Sequence, residues 1–132
     1  MKRIAIITAF VASILAAASV FAQMETRTNA SGGVTVKVTP KVLAPDAPTW
    51  EFAVVLDTHS QDLADDLTKA AAIVAPGGAR YSPVAWDGAP PGGHHREGVL
   101  RFQPVTPAPP AVELQIQRPG ESAPRIFRWD LK

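Results

Sequence analysis

The chain has 132 residues, with 13 basic and 12 acidic side chains and no cysteine. The lack of cysteine excludes structural disulfides, a lipid-bearing thiol and thiolate metal ligands, so the fold must hold by its core alone. A near-neutral chain without a basic run carries no electrostatic footprint for nucleic acid.

In chain order, Met1-Lys2-Arg3 precedes an uncharged apolar run from Ile4 to Phe21, and "VFA" stands before Gln23. This pattern predicts a secretory signal peptide over residues 1–22, cut after Ala22. A single membrane span is the competing reading, but the run is Ala-rich and ends in an A-x-A-like site. The expected product is one mature domain over 23–132, periplasmic or secreted, with no membrane insertion after cleavage. Removing 22 of 132 residues leaves 110, an ordinary domain size, and the loss of Lys2 and Arg3 takes the 13 basic groups to 11 against 12 acidic ones. All 13 prolines and 9 glycines fall in that part, which favours many short elements over long helices.

Five segments alternate with the two-residue period of half-buried strands. "VTVKV" sets Val34, Val36 and Val38 against Thr35 and Lys37. In "WEFAVVLD", Trp50, Phe52, Val54 and Leu56 share a face. "VLRFQ" puts Leu100 and Phe102 on one side, and "VELQIQ" does the same with Val112, Leu114 and Ile116. "RIFRWDL" closes the chain with Phe127, Trp129 and Leu131 inward.

The middle supports two readings. "SQDLADDLTKAAAIVA" fits a helix from a Ser60 N-cap to Pro76, with Leu63, Leu67 and Ala71 on one stripe. "AAIVAPGGARYSPVAW" equally reads as two extended arms around a Pro-Gly-Gly turn, with Ile73 and Tyr81 flanking the tip. With a short bend at Ser60–Leu67 followed by that hairpin, the strands fall at 34–39, 49–57, 69–75, 79–86, 98–103, 111–117 and 125–131. Seven short strands at this spacing predict an all-β fold, an immunoglobulin-like antiparallel β-sandwich. "PVTPAPPA" then serves as a stiff connector.

The stretches "LDTHSQDLADDLTK", "YSPVAWDGAPPGGHHREGVLRF" and "FRWDL" resemble a group of exported bacterial β-sandwich proteins, most specifically at "DTHS" and "PPGGHHREGVLRF". That resemblance brings no activity and no site residues. A weaker, architectural likeness is to small periplasmic copper carriers of the copper-resistance C family, which also have seven strands and no disulfide. They use an N-terminal histidine as a ligand, whereas this mature chain is expected to begin at Gln23.

In such a sandwich the second and fifth strands are antiparallel neighbours, so the end of 49–57 lies beside the start of 98–103. This would gather all three histidines, His59, His94 and His95, with Asp57 at one end of the molecule. Imidazole and carboxylate donors suit copper or zinc, which makes these four residues candidate metal ligands. The competing reading is structural: the histidines cap backbone groups, Arg96 pairs with Asp57, and the protein is an accessory or assembly module contacting another envelope protein. No catalytic device is expected. Asp57, His59 and Ser60 are nearly contiguous and cannot converge as a nucleophile triad, and Asp62, Asp65 and Asp66 lack the glycine and spacing of a calcium loop and read as a solvated bend. Trp86 is the one tryptophan expected to be exposed.

Overall fold

The computed structural model of the protein describes residues 24–131. The expected signal segment 1–22 lies outside them. Nine strands form among the described residues, together with one helical turn: β1 (Arg27–Ser31), β2 (Val34–Val42), β3 (Trp50–Thr58), α1 (Leu67–Ala70), β4 (Ala71–Val74), β5 (Arg80–Tyr81), β6 (Ala85–Gly88), β7 (His95–Phe102), β8 (Ala111–Ile116) and β9 (Arg125–Asp130). They build a five-stranded sheet, β1-β2-β3-β7-β6, and a four-stranded sheet, β5-β4-β8-β9, with every pairing antiparallel. The protein is an all-β sandwich. The order β2-β3-β7-β6 opposite β4-β8-β9 is the immunoglobulin-type arrangement.

The apolar faces read from the periodicity meet between the sheets. Val36, Val38, Phe52, Val54, Leu56, Leu100, Leu114 and Ile116 are all fully buried. Phe52 joins the layers, edge-on to Phe102 and tilted against Trp129, with ring centroids 5.7 Å apart in both pairs. Rings placed this way add packing specificity to the area they bury.

The strand count exceeds seven for two reasons. β1 has the polar sequence RTNAS and shows no apolar alternation, so it escapes a pattern reading; its signal was the Gly32-Gly33 pair. Both glycines have positive φ, at 56° and 80°, which is the geometry of a two-residue hairpin turn. The expected strand 79–86 divides instead into β5, paired with β4, and β6, paired with β7 in the other sheet. Ser82-Pro83 makes the crossing, since a proline cannot donate to a ladder it would otherwise continue.

The helical alternative survives only as one turn. Asp66 caps α1 by accepting from the Thr68 amide at 3.1 Å. Ala71, Ala72 and Ile73 then leave the helix to pair with Ile116, Gln115 and Leu114 of β8. At the seam between the sheets, Arg125 of β9 donates to the carbonyls of Asn29, Ser31 and Val34, and Trp129 Nε1 to that of Glu25. Those bonds tie β1 and β2 of one sheet to β9 of the other. Among the described residues no helix is long and apolar enough to cross a membrane.

Candidate functional site at the histidine end

β3 and β7 pair antiparallel from Trp50↔Phe102 to Asp57↔His95, and the ladder runs one step further, with the Thr58 amide donating to the His94 carbonyl at 2.9 Å. β7 thus begins at His95, three residues before the expected start. This register sets every side-chain direction at the site, because neighbours along a strand face opposite sides.

Asp57 stands opposite His95 on the outer face, and their side chains meet, Asp57 Oδ1 lying 2.5 Å from His95 Nδ1. Glu97, two residues on, shares that face and brings Oε2 to 3.6 Å from His95 Nε2. The hydrogen bond to Asp57, with its charge and that of Glu97, raises the His95 pKa above the usual imidazole range. Because the folded value is raised, the tie made by the charged ring is fully present below the unfolded pKa and fades as pH rises through the folded one. An NMR titration of the His95 ring should accordingly give a midpoint that falls in Asp57→Asn; an unchanged midpoint would show that the pair does not persist in solution.

The expected Arg96–Asp57 pair does not form. Arg96 lies opposite Leu56 and so points inward, where it is 1% exposed. Its guanidinium donates to the carbonyls of Leu63 at 3.1 Å, Asp65 at 2.7 Å and Ala89 at 3.2 Å. It also lies over Trp86, 5.8 Å from the ring centre. Trp86 is half-buried rather than exposed, and donates to Ala89 through Nε1 at 2.9 Å. It fits because Gly88 and Gly98 face each other across β6 and β7: a Cβ on either would stand 2.8 Å from the ring and 2.5 Å from the opposite Cα.

The two loops that carry the signature stretches are bound to each other. Leu63, fully buried at the open end of the sandwich, donates to the Gly93 carbonyl at 3.0 Å and accepts from Gly92 at 2.8 Å, while Asp62 Oδ1 accepts from the Gly93 amide at 2.8 Å. On the other side, Thr58 Oγ1 donates to the Gly33 carbonyl at 2.8 Å and Gln61 Nε2 donates to Gly32 at 2.5 Å.

The acidic bend is exposed at Asp62 and Asp66 but not at Asp65. Asp65 is 1% exposed and receives Arg118 in a two-point pair, at 2.9 Å from Nε and 3.0 Å from Nη2. Beside it, Glu121 accepts from Arg125 at 3.0 and 2.7 Å and is approached by Arg118 at 3.5 Å. These cations, Arg125 foremost, hold the Glu121 carboxyl below the usual carboxylate range. Asp65, Arg96 and Arg118 are functional-looking charges with a structural task, and no periodicity in the sequence marks them as buried.

Arg96 is the clamp of the loop pair, because each bonded carbonyl belongs to a segment with no strand partner of its own. Arg96→Met keeps much of the volume and removes the donors. The Leu63 carbonyl keeps the Gly92 amide and the Ala89 carbonyl keeps Trp86 Nε1, so the carbonyl of Asp65 is the one left to lose its donor, at about 1–3 kcal/mol if water does not replace it. Hydrogen exchange at the Leu63, Gly92 and Gly93 amides should accelerate more than at mid-strand amides of β8. Equal protection in the variant would deny Arg96 that role.

Of the four candidate ligands, the structure joins Asp57 to His95 and leaves His59 and His94 exposed on the loops. Among the described residues no group of three or more histidine, aspartate or glutamate side chains is placed to hold a metal ion. Comparison of the chain with known protein families, with curated proteins and with solved structures finds no match.

Proposed function

We propose that the protein is an exported, non-catalytic binding module of the cell envelope, which contacts another envelope protein through its histidine end. The observation that carries this reading is the locked pair of loops. Residues 59–66 and 89–94 spend backbone groups and Asp62 on each other and on Arg96, while His59, Ser60, Pro90, Pro91 and His94 stay exposed. Side chains displayed from a loop with one arrangement lose little entropy on binding, so a contact there is preorganised. The apolar run before Gln23 supports export.

A photo-crosslinking residue at position 94, expressed in the native host, should give a discrete adduct with one envelope protein, and the same probe at Ile126 on the opposite sheet should not. No adduct at 94, or equal adducts at both positions, overturns the reading. N-terminal sequencing of the exported protein should begin at Gln23; residues 1–22 retained in the membrane fraction would overturn free export.

A second reading, binding of copper or zinc by the histidine end, is favoured by the Asp57–His95 contact, since a carboxylate on one ring nitrogen is the usual support of a metal-binding imidazole. Stoichiometric binding of Cu(II) or Zn(II) by metal-free protein tests it.

A further inference from the structure

We infer that the outer face of β3 and β7 carries a divalent transition-metal site in which His95 Nε2 and a Glu97 carboxylate oxygen are the protein ligands and Asp57 orients the imidazole without ligating. The inference rests on the metal reading above and changes its ligand set, replacing His59, His94 and Asp57 as donors.

Geometry is the first support. His95 and Glu97 are two apart on one strand and therefore share a face. Their Nε2 and Oε2 atoms stand 3.6 Å apart. An ion bonded to nitrogen and oxygen at about 2.0–2.2 Å with tetrahedral angles separates its donors by roughly 3.4 Å, so the pair already stands at close to the required bite. Both residues belong to an interior strand of the five-stranded sheet and are paired to β3, His95 with Asp57 and Glu97 with Val55, while the Glu97 carbonyl also accepts from the Ala89 amide at 3.1 Å, which fixes their backbone.

The second support is the orientation of the ring. Asp57 Oδ1, 2.5 Å from Nδ1, holds the proton of a neutral imidazole on that nitrogen and leaves the Nε2 lone pair toward Glu97. This is the carboxylate–histidine–metal relation, in which the acid selects the tautomer and makes the ring a better donor. The same contact uses an Asp57 oxygen and removes it from the ligand set.

Charge and access agree. Two carboxylates flank one imidazole, an excess that a divalent cation offsets. The side chains of His95 and Glu97 are 55% and 69% exposed, so an ion can enter without opening the fold. Two protein donors leave further coordination positions to water or to a donor from a bound partner, as in sites that pass a metal on or bridge two molecules. His94 lies in the bend before β7 and is exposed there.

Metal-free exported protein is titrated with Zn(II) and Cu(II) by calorimetry, with the Cu(II) form examined by electron paramagnetic resonance. One equivalent should bind, with coupling to a single imidazole nitrogen. His95→Ala should abolish binding and Glu97→Gln should weaken it at least tenfold. Asp57→Asn should weaken it about 10–100-fold while keeping one equivalent, and ring nitrogen shifts should change from one His95 tautomer to a mixture. His59→Ala combined with His94→Ala should bind as the wild type does. Thermal melts verify that each surface variant is folded. Loss of binding in the His59/His94 variant with retention in His95→Ala and Glu97→Gln would overturn this ligand set and leave the metal reading standing. No binding by wild type would overturn both.

Discussion

Asp65→Asn should be among the most damaging substitutions in the protein, costing about 3–5 kcal/mol, because it removes the buried two-point counter-charge of Arg118 and leaves it only Glu121 at 3.5 Å. Arg118 has a side chain 6% exposed and Asp65 one 1% exposed, so neither can turn to water without moving the loop that carries it. Asparagine retains the shape and one acceptor, and the loss therefore reports the charge rather than a cavity. The partner experiment is Asp65→Asn with Arg118→Met, in which the buried cation is gone as well; it should recover part of the loss, as removal of both members of a buried pair is commonly milder than removal of one. Urea denaturation of the three proteins decides it. A shift below about 1 kcal/mol in Asp65→Asn would place the pair among ordinary surface ion pairs.

Phe52→Ala should cost a similar amount, about 3–5 kcal/mol, for a different reason. Phe52 is fully buried and touches aromatic rings in both sheets, Phe102 in its own and Trp129 in the other. Truncation removes apolar area from the core and leaves a void that three strands of backbone hydrogen bonds prevent from closing. The same change at Ile126, which is 54% exposed on the outer face of β9, should stay within about 0.5 kcal/mol. Comparable losses at both positions would contradict the placement of the core between the sheets.

These two predictions separate what could be read from the chain from what could not. Phe52 was legible, because an alternating run of Trp50, Phe52, Val54 and Leu56 declares its own buried face whatever it pairs with. Asp65 was not: it lies between two other acids in a polar bend, and its partner Arg118 is 53 positions away. Arg96 was hidden by the same cause. "HHREG" looks like loop because a charged residue sits at the inward parity, and only pairing with Leu56 reveals that β7 has already begun. The half-burial of Trp86 is not legible in the sequence because the space it occupies exists only where Gly88 and Gly98 meet across two strands.

At the candidate site the balance is similar. The gathering of His59, His94, His95 and Asp57 near one end followed from strand order, since the second and fifth expected strands do pair as β3 and β7. The contact partners did not follow, because shifting a strand by one residue exchanges its two faces. Glu97 is not among the candidate ligands of the sequence reading, yet it shares the outer face with His95 and Asp57.

The sequence by itself determined the all-β character, most strand positions and the identity of the core, because burial of apolar side chains imposes a two-residue period that is local and visible in one dimension. Tertiary structure alone decided the register, the division of the fourth expected strand between sheets, the inward turn of Arg96 and the pairing of Asp65 with Arg118. Buried charges are tolerated only where specific, distant partners satisfy them, and a polar residue's own neighbours along the chain carry no record of those partners.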